Sequence, residues 1–209
     1  MSMKETLESH VAALGPSLYE TMSTATAKVV KSVSDIPHHK YPHVRPALTR
    51  THWRQELEAN PLPLGWTVAG NTRLNGQTFL YHPHLNARMR ILKERRNTTP
   101  GGIPTAGYSP TRQQYWSAPL PGLDDSHPAF NPTNLLLCWD YASNENLEDF
   151  QLRVVHTLEP GRFGEAVKCD FMVDIEPGGS IYNYRSFRGS DDPEDFFTSI
   201  NLDEDENEA

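Results

Sequence analysis

Apolar positions near the start of the chain recur at helical spacing. Leu7, Val11 and Leu14 share one face, as do Leu18 and Met22. Residues 4–33 are therefore the strongest helical stretch, inside a helical N-terminal region covering residues 1–33. Gly15-Pro16 interrupts the pattern and predicts two helices, with Pro16 near the start of the second. The run TMSTATAKVVKSV that follows is rich in Thr, Ser and Val, which lowers helix propensity. Residues 34–60 read as a Pro/His-rich connection. Pro37, Pro42 and Pro46 predict an extended segment over 35–46, and residues 51–59 predict a short helix capped by Thr51 or Thr49.

Farther along, residues 98–133 carry seven prolines and several glycines, which predicts a long loop with polyproline character around 118–121. Tyr115 and Trp116 sit inside it as anchors to a core. From Asn134 the pattern changes. Leu135, Leu136, Leu137, Cys138 and Trp139 read as a buried strand, and residues 150–158 alternate. Residues 167–176 alternate cleanly, with Phe171, Val173 and Ile175 on one face and Asp170, Met172, Asp174 and Glu176 on the other. Pro177-Gly178-Gly179 makes a turn, and residues 180–187 return as a strand. The expected class is α+β: N-terminal helices, a small Trp-anchored β element over 61–97, an antiparallel sheet over 134–190 with one face buried, and an acidic tail over 191–209.

Composition sharpens this picture. Hydrophobic residues make up 37% of 209, and Pro plus Gly number 30, so a core is diluted by loops and tails. No run is long and apolar enough for a membrane span, no secretory leader is evident, and two cysteines imply no disulfide framework. The expected location is cytoplasm or nucleus. The net charge of −8 conceals an asymmetry: residues 1–100 carry 13 Lys/Arg against 7 Asp/Glu, residues 101–209 carry 6 against 20. The last nineteen positions hold nine acids and no base. Such a run repels itself and is expected to stay solvated and disordered, available to mask the basic half of the chain or address a basic partner.

Residues 62–96 carry the most direct functional pointer. Leu62, Pro63, Gly65 and Trp66 open the segment; Gly76, Phe79, Leu80, Tyr81 and His84 (or His82) follow at the positions of a glycine turn and an aromatic strand. The segment resembles a degenerate WW domain. The second Trp of that family would fall near Arg90 or Ile91, neither of them aromatic, and the closing Pro has no counterpart. The resemblance implies a three-stranded sheet with Pro63 and Trp66 as structural anchors. It also implies a contact face near Tyr81 and His84, to which Leu80 and His82 are added as neighbours. The function expected from it is non-catalytic binding of another protein, through a proline-rich or basic segment.

A second expectation comes from charge. Arg88, Arg90, Lys93, Arg95 and Arg96 make a basic stretch beside Tyr81 and the histidines, a pattern that holds a nucleic-acid backbone and stacks its bases. The alternative function is thus a nucleic-acid-associated structural protein, for example of viral origin, screened by its acidic tail. Six of nine histidines lie between His38 and His84, without the Cys or carboxylate spacing that completes a metal site. Asp170, Asp174 and Glu176 share a strand face, a pattern open to a hydrolase but produced equally by one wet sheet face. Cys138, in an apolar run, reads as an inert thiol. No phosphate loop or nucleophile elbow is present, so no catalytic residue, cofactor or metal is expected.

Overall fold

The computed structural model describes residues 2–37, 39–74, 76–118, 120, 132–142 and 148–183. The acidic tail, His38 and most of 119–131 lie outside that set. Helix α1 (Met3–Ser32) begins in a capping box: Ser2 Oγ accepts from the Glu5 amide while Glu5 accepts from the Ser2 amide. Leu7, Val11, Leu14, Leu18, Met22, Ala25 and Val29 then form one buried stripe.

The expected break at Pro16 does not occur. Pro16 lacks the N–H that would bond the Ala12 carbonyl, yet the helix runs through it. A turn from the far end of the chain, Pro177–Gly179, packs directly on the helix here. A Cβ on Gly15 would lie 2.0 Å from the Gly179 carbonyl oxygen, so the two backbones meet with no room for a side chain.

Helix α2 (Val44–Ala59) starts earlier than the expected helix at 51 and takes in part of the segment expected to be extended. Pro46 allows this because it falls in the first turn, where amides have no helical partner. Thr49, Trp53 and Leu57 form its buried stripe. Thr49 is no cap; its hydroxyl pairs with Tyr141 Oη at 2.5 Å. Trp53 Nε1 donates to Thr21 Oγ1 at 3.0 Å, which docks α2 against α1.

Seven strands follow in one sheet: β1 (Thr67–Ala69), β2 (Phe79–His82), β3 (Ala87–Lys93), β4 (Thr133–Tyr141), β5 (Phe150–Thr157), β6 (Cys169–Ile175) and β7 (Ile181–Asn183). Their spatial order is their chain order. All neighbours are antiparallel except β3 and β4, which run parallel from Ala87↔Thr133 to Lys93↔Trp139. The β element over 61–97 and the sheet expected over 134–190 are therefore one continuous sheet rather than two units. A parallel pair needs a crossover, and the Pro/Gly-rich connection supplies it. It also contains a helix absent from the sequence expectation, α3 (Pro110–Ser117), with Pro110 at its first position.

Helices α1 and α2 cover the inner face, where Leu80, Met89, Leu135, Leu137, Trp139, Leu152, Val154, Phe171 and Val173 pack. The outer face of β4 and β5 is covered as well. Leu136, Cys138 and Val155 meet Ile103, Ala106, Trp116 and Val167 there. The expectation of one wet face thus fails over the centre of the sheet, because the crossover folds back onto it. Among the described residues, no helix is long and apolar enough to cross a membrane.

Candidate functional site

The first three strands form the meander that the sequence anticipates around Trp66. Trp66 is buried and its Nε1 donates to His10 Nδ1 on α1 at 3.2 Å; Pro63 opens the turn that precedes it. His82 is buried beside both, with Nε2 at 2.7 Å from the Leu64 carbonyl and Nδ1 accepting from the Leu85 amide. Because Trp66 donates to it, His10 Nδ1 carries no proton. Burial first, and the neighbouring His82 second, lower the His10 pKa below the ordinary imidazole value of 6.5.

The sign of the pH dependence follows. The unfolded chain takes up this proton at higher pH than the folded chain, so the contribution of His10 to stability is whole above pH 6.5 and declines as the pH falls below it. The Trp66 indole N–H resonance is expected to move with His10 titration at a midpoint under 6.5, and His10→Gln to abolish that movement. A midpoint at or above the ordinary value would contradict the assignment.

Strand periodicity divides the four residues expected to make a contact face. Leu80 is fully buried and His82 nearly so, both turned toward α1. Tyr81 is half-buried on the opposite side, and His84 is exposed in the β2–β3 loop. They do not share one surface, since successive strand residues point to opposite faces.

What the register does assemble is the outer face of β1–β3. Arg90 lies opposite Leu136, an outer-face residue of β4, and opposite Phe79 of β2; Arg88 lies opposite Tyr81, which lies opposite Thr67. Arg88, Arg90, Phe79 and Tyr81 therefore share a surface. Arg112 and Tyr115 of α3 border it. The Arg88 guanidinium carbon lies 6.0 Å from the Tyr81 ring centroid, that of Arg90 5.6 Å from Phe79 and 5.9 Å from Trp116, and that of Arg112 5.1 Å from Trp116. Tyr115 Oη is 2.9 Å from the carbonyls of both Arg88 and Leu135, which pins α3 across β3 and β4.

The basic stretch of the sequence is split by this geometry. Lys93 is inner-facing and paired with Asp140, and Arg96 bonds Glu94 through Nε at 2.8 Å. Arg88, Arg90, Arg95 and Arg112 form no ion pair among the described residues. Burial, and then the neighbouring Arg112 charge, lower Arg90 from the ordinary guanidinium value; burial and then Arg95 do the same to Arg112. Half-buried cations that repel one another call for an anion. Arg112, Tyr115 and Phe79 are the residues sequence reasoning omitted from this face. Phe79 was within reach of the period-two rule, whereas Arg112 joins only through the crossover.

The other candidates disperse. Asp170 Oδ1 is 2.5 Å from Nδ1 of the buried His156, whose Nε2 lies 2.8 Å from the Ala118 carbonyl. Asp174 instead lines an open cleft of about 590 Å³ at the other end of the sheet, with Glu94, Arg96, Gln151 and Arg153. Glu176 is exposed before the following turn. The three acids thus do not converge. Cys138 is fully buried beneath the crossover, and burial drives its thiol pKa far upward. Among the described residues, no group of three or more His, Cys, Asp or Glu is placed to hold a metal ion. Comparison with protein-family models, curated proteins and solved structures gives no match.

Proposed function

We propose that this chain is a non-catalytic binding protein and that its outer face over β1–β3 and α3 holds single-stranded nucleic acid. One observation carries the reading: Arg88, Arg90 and Arg112 gather beside Phe79, Tyr81 and Tyr115 with no carboxylate paired to them among the described residues. Arginines neutralise backbone phosphates, and rings on a sheet surface stack unpaired bases. A duplex offers no free base faces, so single strands suit the surface better. The protein-binding reading rests on Tyr81 and His84, which are accessible. It is the weaker of the two, because Leu80 and His82 belong to the core.

The test is fluorescence polarisation with labelled oligo-dT and oligo-U of about 12 nucleotides over roughly 50–200 mM salt. Three arginine–phosphate contacts give an expected slope of log K on log salt near −2, at about 0.7 per contact. Arg90→Gln and Arg112→Gln should each flatten the slope by about 0.7. Tyr81→Ala should weaken binding by about 1–3 kcal/mol at unchanged slope. A matching duplex serves as the weak-binding control, and a proline-rich peptide panel tests the other reading. Absence of oligonucleotide binding, or a slope indifferent to the arginines, rules the proposal out.

A further inference from the structure

We infer that the chain's own acidic segment, residues 191–209, occupies this arginine face when no other anion does, so that the protein competes with its ligand. The surface invoked is the one under Proposed function, but the docking itself depends only on arginines that form no ion pair among the described residues. Charge complementarity is the first argument. Nine acids without a base stand in residues 191–209, and Arg88, Arg90, Arg95 and Arg112 form no ion pair among the described residues.

Reach is the second argument. The described chain stops at Asn183 in β7, which is four strand spacings from β3, about 19 Å. The eight residues from Asn183 to Asp191 extend to about 26 Å. Eighteen more positions follow to Ala209. The acids therefore reach the outer face of β3 with chain to spare, including the detour over α3. Tethering places them there at an effective concentration in the millimolar range, enough for weak individual contacts to matter.

A polyanion also mimics what the face is proposed to hold. The tail supplies charge with only two rings, Phe196 and Phe197, where a strand carries a stackable base at every nucleotide, so the tail is the weaker occupant, one that filters out weak polyanions while yielding to strands that stack on Tyr81 and Phe79.

The experiment compares the full chain with a variant of equal length in which the nine acids of 191–209 become Asn or Gln. The Nε–Hε NMR signals of Arg90 and Arg112 report occupancy without any ligand. They are expected to shift on neutralisation and to return when a synthetic 191–209 peptide is added in trans. Oligo-dT affinity at low salt is expected to rise about tenfold in the neutralised variant. Unmoved arginine signals together with unchanged oligonucleotide affinity would overturn the inference and leave the proposed function standing. Moved signals without oligonucleotide binding by either form would uphold the inference and sink the proposed function. An affinity gain from Asp124→Asn with Asp125→Asn, alongside a silent tail variant, would also overturn it.

Discussion

Gly179→Ala is expected to cost about 3 kcal/mol of stability, the sum of overpacking and left-handed strain, and to lower Tm by roughly 6–12 °C. A Cβ at this position would lie 2.3 Å from Pro16 Cα and 2.5 Å from the Gly15 carbonyl carbon, backbone atoms that cannot swing aside. Gly179 also has φ 89°, a conformation that L side chains resist. The neighbouring Gly178 separates the two effects. It has φ 81° but open space around it, so Gly178→Ala should cost only about 1 kcal/mol. Gly15→Ala sets two effects against each other. Alanine gains about 1 kcal/mol in helix propensity, yet its Cβ meets the Gly179 oxygen at 2.0 Å. Net destabilisation by about 2 kcal/mol is expected in urea unfolding. A Gly15→Ala variant more stable than wild type would show that the turn does not rest on the helix.

Truncating Arg153 should be comparably damaging, for an electrostatic reason. The Glu94 side chain is 1% exposed, and its Oε1 lies 2.5 Å from Arg153 Nε; that N–H is not aligned for a hydrogen bond, so the contact is Coulombic. Arg153 also donates to the Gly101 carbonyl, tying the crossover to β5. Arg153→Met leaves a carboxylate inside with, among the described residues, only the half-exposed Arg96 to answer it, and should cost about 3 kcal/mol. Replacing both partners, Glu94→Leu with Arg153→Met, removes the charge together with its counter-charge and should return stability to within about 1 kcal/mol of wild type. With Glu94→Leu alone as its third corner, the double-mutant cycle then yields a coupling of at least about 2 kcal/mol. A double-variant loss equal to the sum of the two single losses would mean that the pair is not coupled and that the damage is lost packing.

The α+β class and most strands were legible because they rest on local pattern. The run from Leu135 to Trp139 and the alternation through Phe171, Val173 and Ile175 appear as β4 and β6. What escaped depends on partners far away in the chain. Continuity of α1 through Pro16 accompanies a contact with a turn more than 160 residues later, and no local propensity encodes that. The parallel joint of β3 to β4 is invisible in either strand alone, since a hydrophobic run does not specify its neighbour's direction. Helix α3 buries little beyond Trp116, so its eight residues show no helical stripe. The candidate site was half legible. Arg88, Arg90 and Tyr81 could be read from one stretch, but their separation from Lys93 and Arg96 needed the strand register and the ion pairs around Glu94 and Asp140.

The single parallel joint also sets the order in which this molecule can assemble. Every other strand pairing closes a connection of at most 11 residues, so β1–β3 and β4–β7 are each a meander with low-entropy closures. Only β3 with β4 must wait for the 94–132 crossover to fold back, and α1 must then bridge both halves to reach the Pro177–Gly179 turn. By contact order the two meanders are expected to form fast and the β3–β4 seam slowly. The arginine face straddles that seam: β2 and β3 supply its strands, and the crossover supplies Arg112 and Tyr115. A chain that has folded only its first half therefore lacks the complete arginine face. Under the proposed function, binding competence arrives with the last long-range closure, which makes it a property of the finished fold rather than of any segment.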